Sequence, residues 1–165
     1  MRWKIDQQSL PYLIIGSLTA LILGIIVTIL IPALGTPGPT ALAHAYAEQE
    51  LQGRLIYQRE GCWYCHTQQV RAPEVGIGTV LIKGDIGPES VAGDYAYQKP
   101  VYWGTERQGP DLSHVASRPY GAVKEWQIIH LKDPQLVNPG SVMPSFSHLP
   151  EDELKALAAY LLTLK

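Results

Sequence analysis

Cys62-Trp63-Tyr64-Cys65-His66 contains both cysteines of the 165-residue chain. C-x-x-C-H is the spacing of a covalent c-type haem attachment site. Two thiols three positions apart can face the same way on one helical turn and form thioethers with two vinyl groups. The histidine directly after them can then offer an imidazole nitrogen to the iron. The rival chemistries need more than the chain offers. A structural zinc site wants four ligands, and no second cysteine pair exists. A thioredoxin-like pair wants a βαβ pattern nearby, and none is visible. A plain disulfide has no use for the histidine. The expectation is one covalent haem c on Cys62 and Cys65, with His66 as proximal ligand.

The second axial ligand follows almost by counting. There are two methionines, and Met1 begins the chain. Met143 lies far downstream of His66 in Pro139-Gly-Ser-Val-Met-Pro144, where a second proline stiffens the loop. A methionine filling a gap in the core is the plainer alternative, but this one stands outside any periodic segment. His44, His114, His130 and His148 are the rivals for a bis-histidine iron. Thioether ligation favours ferrous iron and a high potential, which suits electron transfer.

These groups have to be carried on something. From Gln7 to Ala47 there is no Asp, Glu, Lys or Arg, and Tyr12 to Ile31 is a largely apolar run closed by Pro32. About 20 such residues cross a hydrocarbon core of about 30 Å, and this run is of that length. Ala41-Leu-Ala43 imitates a signal-peptide cleavage site, but the apolar run is too long for one and ends well before it. The run therefore reads as an uncleaved anchor in a lipid bilayer. Arg2 and Lys4 precede it and no Lys or Arg follows until Arg54, so the positive-inside rule leaves the N-terminus in the cytoplasm. The remainder is then periplasmic on a bacterial inner membrane, the side on which bacterial c-type haems are attached. Past the anchor acidic residues outnumber basic ones and no basic stripe forms, which makes nucleic acid a poor partner.

Past a Gly35-Thr-Pro-Gly-Pro39 linker, Thr40 to Glu60 reads as a helix closed by Gly61. Gly53 within it suggests close approach of another backbone. The clearest helix runs from Pro150 to the end of the chain. Acidic Glu151 to Glu153 stand at its start, and Leu154, Leu157, Ala158, Leu161 and Leu162 share one face. A shorter helix near 122–131 should stop before Asp133-Pro134. Strand signals are weak, so the expected fold is all-α. Its divisions are a transmembrane anchor over 1–34, a linker over 35–40 and a haem domain over 41–165.

The haem domain resembles class I cytochromes c. Gly53 and Tyr57 against Tyr160 resemble the glycine–aromatic crossing of that fold's terminal helices. Gly109-Pro110-Asp111-Leu112 is similar to the segment whose proline carbonyl accepts the proximal histidine's Nδ1–H. The resemblance implies that Pro110 orients His66, that Arg118 lies near a haem propionate, and that Trp126 is a haem-edge or core aromatic. It makes His130 a hydrogen-bonded core histidine rather than an iron ligand.

Thr67 to Gln108 separate His66 from Gly109, where small cytochromes c have a short connection. This 67–108 insertion carries Gln68, Arg71, Ser90-Val-Ala-Gly93, Tyr95, Tyr97, Pro100 and Trp103-Gly104. With Gly53-Arg54-x-Ile56-Tyr57-x-Arg59-Glu60-Gly61, His130-Leu-x-Asp-Pro134 and Ser141-x-Met-Pro144, it resembles the monohaem, membrane-anchored subunit of cbb(3)-type cytochrome c oxidases. Residues 72–89 depart from that pattern. The resemblance implies electron transfer to a catalytic haem–copper membrane subunit, alongside other cytochrome c subunits, with no substrate chemistry in this chain. A free membrane-tethered shuttle and a nitric oxide reductase subunit remain the alternatives. The aromatics of the insertion, Tyr95, Tyr97, Tyr102 and Trp103, read as a docking surface, against the simpler alternative that they pack on their own domain.

Overall fold

The structure is a computed structural model and describes residues 9–72, 87–104 and 106–165. Arg2, Lys4 and most of the 72–89 stretch lie outside the described residues. The chain divides into two compact units after Gly38. Among the described residues every regular element is helical and none is a strand.

The first unit is a single helical rod. α1 (Leu10–Ile25) passes through a π turn (Ile26–Leu30) into α2 (Ile31–Leu34). The whole spans 25 residues with no buried position and is long and apolar enough to cross a membrane. At 1.5 Å per residue it is about 37 Å long. Pro32 does not end it, contrary to the sequence expectation. A proline inside a helix clashes with the carbonyl four residues back, and the π turn immediately before it widens the coil. There Ile31 N–H donates to Ile26 O, five residues back. The hydroxyls of Ser17 and Thr28 turn back onto Leu13 O (2.9 Å) and Gly24 O (2.7 Å), so both are satisfied within the helix.

The second unit is organised by two helices far apart in sequence, α3 (Glu48–Arg59) and α6 (Glu151–Leu161). Their crossing is at Gly53. A Cβ there would lie 1.9 Å from Ala156 O and 2.9 Å from Tyr160 Cβ, so only glycine lets the backbones meet. Tyr57 and Tyr160 close the contact edge to face, with ring centroids 5.4 Å apart. Leu154 and Leu157 have no exposed surface, and each contributes about 1.5–3 kcal/mol through burial. The apolar face of α6 includes Ala156 and Tyr160 as well as the leucines expected from spacing. Its acidic N-terminus is tied to both neighbours, by Arg59 to Glu153 and by Lys132 to Glu151 at 2.5 Å.

α3 begins at Glu48 rather than at Thr40, where its sequence pattern starts. The segment before it is held in other ways. Thr40 donates through its hydroxyl to Asp94 (2.5 Å) and through its N–H to Gly93 O (3.3 Å). The Ala47 N–H then takes the Glu50 carboxylate as acceptor at 2.8 Å, which starts the helix at Glu48. Gly61 ends it as expected, at φ +72°. α4 (Lys124–Lys132) stops before Pro134, and Asp133 caps the short α5 (Pro134–Val137) by accepting from Leu136 N–H at 3.2 Å.

The insertion belongs in part to this core. Tyr102 is 2% exposed, with its ring 5.7 Å from that of Tyr57 and the Arg54 guanidinium 4.1 Å above it. Tyr95 donates its hydroxyl to Gln68 O at 2.8 Å. Trp103 and Tyr97 remain about half exposed, whereas the buried Tyr102 packs on its own domain.

Gly53→Ala should destabilise this unit. Alanine gains about 1 kcal/mol of helix propensity over glycine, but the clash with the Ala156 carbonyl is with backbone and has no flexible side chain to give way. A net loss of about 1–3 kcal/mol is expected, read from chemical denaturation of the full chain in detergent. A variant as stable as the parent would mean that α6 does not press on α3 at Gly53.

Candidate functional site

The C-x-x-C-H segment follows α3 directly as a single tight turn. Gly61, in the left-handed region, redirects the chain, and Cys62–Tyr64 form one turn of 3-10 helix. The N–H groups of Cys65 and His66 both donate to Cys62 O, at 3.2 and 3.0 Å. Both thiols are free and partly buried. Burial pushes the Cys62 thiol up to about 12, with the Glu60 carboxylate adding to the shift. It is therefore a neutral S–H at any physiological pH.

Residues 109–112 run back alongside this turn. Gly109 N–H donates to Cys65 O (3.0 Å) and Leu112 N–H to Thr67 O (2.8 Å). Between those bonds, the His66 Nδ1–H donates to Pro110 O at 2.7 Å. A carbonyl oxygen can only accept, so the ring proton sits on Nδ1 and the lone pair on Nε2. Burial lowers the His66 pKa, outweighing the opposing effect of the Pro110 bond, so the ring stays neutral. Gly109 makes room for it: a Cβ there would lie 2.2 Å from His66 Cε1 and 2.8 Å from Nδ1.

Asp111 anchors the two segments to each other. Its side chain has no exposed surface. It accepts from the Thr67 hydroxyl (2.5 Å), Gln69 N–H (3.1 Å) and Ser113 N–H (2.8 Å). Arg107 stands beside it at 3.4 Å and donates to Thr67 Oγ1 (2.5 Å) and Gln69 O (2.7 Å). Arg118 donates to the backbone oxygen of Asp111 at 2.5 Å. The structure thus gathers Cys62, Cys65, His66, Pro110 and Arg118 into one bonded cluster. Sequence reasoning misses its buried anchor, Asp111. A signal is available, since an Asp bonding the N–H two residues on is an Asx turn.

The remaining sequence candidates are held elsewhere. Met143 is half-buried against the core on a loop fixed by Phe146 N–H to Leu131 O (2.9 Å), and its own N–H takes Ser141 Oγ (3.2 Å). Trp126 is half-buried and stacks on His130, with centroids 4.8 Å apart and planes within 8°. His130 Nδ1 is buried without a hydrogen-bond partner, which corrects the expectation of a hydrogen-bonded core histidine. The rival histidines His44 and His148 are exposed and bound to surface carboxylates, Glu50 at 2.8 Å and Glu60 at 3.1 Å. Among the described residues no three of His, Cys, Asp or Glu converge as a metal cluster.

This donor set fits a haem. A neutral imidazole presents Nε2, two unlinked thiols stand three positions apart on one turn, and a soft thioether lies half-buried in the same core. Trp63 Nε1, within the motif, is buried without a protein partner. A comparison with protein families finds a match over residues 3–163, described as "Cytochrome C oxidase, mono-heme subunit/FixO". A comparison with curated proteins finds no match.

Asp111→Ala should loosen the cluster whether or not a haem is present. It leaves a buried hydroxyl and two part-buried N–H groups without their acceptor, at a cost on the order of 3 kcal/mol in total. The denaturation midpoint should fall accordingly, with Asp111→Asn falling less because one acceptor oxygen survives. Equal, small losses in both variants would show that the carboxylate is not the anchor.

Proposed function

The chain belongs to that family of mono-haem oxidase subunits, and on this premise we propose that it relays electrons through one covalent haem c to a haem–copper catalytic subunit. Family membership implies one haem and association with a cytochrome oxidase complex. The finer reading rests on one observation above the others, the His66 Nδ1–H bond to Pro110 O.

That bond fixes the tautomer and the direction in which Nε2 is offered, and such bonds also raise the basicity of a ligating imidazole. In this reading Cys62 and Cys65 would hold the haem through thioethers to its two vinyl groups, an addition of S–H that needs no leaving group. His66 Nε2 and the Met143 sulfur would be the protein atoms that hold its iron. When bound, the haem supplies reversible one-electron chemistry at iron, with a potential set by those ligands and their surroundings. Arg118 offers a guanidinium beside the proximal loop for a propionate, while Trp126 stands as a haem-edge aromatic. Leu112, Phe146 and Leu149 are buried in the core against which Cys62, Trp63 and Met143 pack.

The helical rod from Leu10 to Leu34 is the proposed tether. With Arg2 and Lys4 ahead of it, the N-terminus lies in the cytoplasm and the haem domain on the outer face of the membrane. Trp103 and Tyr97, half exposed on the insertion, are the aromatic side chains that meet the catalytic subunit in this reading.

The deciding experiment is purification in mild detergent, followed by a denaturing gel stained for haem peroxidase activity. Thioether-bound haem should colour the band at the mass of this chain, and a haem–copper subunit should copurify. Loss of the colour after acid–acetone extraction would overturn covalent attachment. Copurification with no other haem protein would favour a free tethered shuttle.

Met143→His separates the two candidate ligand sets. The oxidised parent should show the weak near-infrared sulfur-to-iron charge-transfer band. The variant should lose that band and have a lower midpoint potential. A parent without the band would remove Met143 from the iron.

A further inference from the structure

Gly104 follows the half-exposed Trp103 near the far end of the insertion. Its backbone lies at φ +72°, in the left-handed region. A Cβ there would stand 2.4 Å from His66 O, 3.0 Å from Thr67 Cα and 3.0 Å from Trp63 O. All three are backbone atoms, so none can swing aside. The nearest belongs to the histidine of the haem motif itself.

The peptide joining Thr67 to Gln68 is held from both sides. Its carbonyl accepts from Leu112 N–H at 2.8 Å, and its N–H donates to Trp103 O at 2.9 Å. In a trans peptide these two groups point in opposite directions, so residues 109–112 and 103–104 flank the chain just after His66. On one flank Gly109 leaves room for the imidazole, and Pro110 O takes its Nδ1–H. On the other, Gly104 lets the insertion close on the His66 carbonyl. The insertion is not free to retreat. Tyr102 is buried beside Tyr57, and Tyr95 donates to Gln68 O while its ring meets that of Trp103 edge to face at 6.0 Å. A side chain at 104 therefore has to displace His66, and that displacement is felt at the 2.7 Å bond to Pro110.

We propose that Gly104 is a positioning residue for the proximal histidine: it lets the insertion brace the His66 backbone and so keeps the imidazole on Pro110 O. The inference rests on the haem reading above and adds a second task to the insertion. Besides carrying Trp103, the insertion helps to set the basicity of the ligand, and with it the haem potential.

The test is a redox titration of the haem-bearing full chain in detergent. A weaker Nδ1–H bond makes a less basic imidazole, which stabilises ferric iron less. Gly104→Ala should therefore raise the midpoint potential and shift the spectrum of the oxidised haem. Gly53→Ala controls for general loosening, since its Cβ meets a backbone carbonyl at 1.9 Å in the helix crossing. At the same loss of denaturation midpoint, the Gly104 change should move the potential further. Equal shifts, or an unchanged potential in Gly104→Ala, overturn the proposal and leave the haem reading standing. A parent chain without covalent haem overturns both. Gly104→Asn keeps the Cβ overlap but accepts the left-handed backbone more readily than alanine, and it is read in the same way if Gly104→Ala yields no haem-bearing chain. Amide exchange in the parent needs no variant: Gln68 N–H should exchange as slowly as the buried amides of α6. Rapid exchange there overturns the brace.

Discussion

A carboxylate with no exposed surface must be met by donors on every side or it will not be buried. Asp111 meets that condition with groups drawn from both ends of the insertion: Thr67 and Gln69 just after the haem motif, Arg107 and Ser113 at and beyond its far end. Satisfying one side chain thus closes the whole insertion at its neck. The His66–Pro110 bond sits inside that closed neck. It is held among groups that satisfy a buried carboxylate, so the direction of the imidazole is set by the chain's own bonds. Such preorganisation reduces what ligand binding must order.

The neck needs a floor, and the α3–α6 crossing provides it. Gly53 lets the helices approach, and Tyr160 links that crossing upward through its hydroxyl to Gln68, two residues from His66. Arg54 ties α3 to the insertion by resting on Tyr102 and donating to Pro100 O. One buried network therefore runs from the helix crossing through the insertion to the motif. A defect at either end reaches the other through packed and bonded groups rather than through a flexible loop.

Much of this is legible in the sequence wherever one local rule applies. The C-x-x-C-H spacing, the glycine after α3, the acidic start of α6 and the stop before Pro134 each depend on a few adjacent residues. What escapes are features set by distant partners. Thr40 to Ala47 carries helix-compatible residues, yet Thr40 is bound to Asp94 on the insertion, and that contact outweighs a weak local preference. Pro32 reads as a terminator because the π turn that accommodates it leaves no mark in composition. Tyr102 and Trp103 are neighbours of similar character, and only the fold decides that one is buried and the other half exposed. The Asp111 anchor is hidden for the same reason, since Thr67 and Gln69 lie at the opposite end of the insertion.

The crossing at Gly53 also has a consequence in time. During synthesis the chain emerges from its N-terminus, and Ala156 follows His66 by more than half the length of the chain. At about 5–20 residues per second this is an interval of roughly 5–20 s. For that long α3, and the cysteine-bearing turn that follows it, exist without the helix that packs at Gly53. The long separation between the crossing helices therefore acts as a delay between making the cysteine-bearing turn and closing the crossing at Gly53.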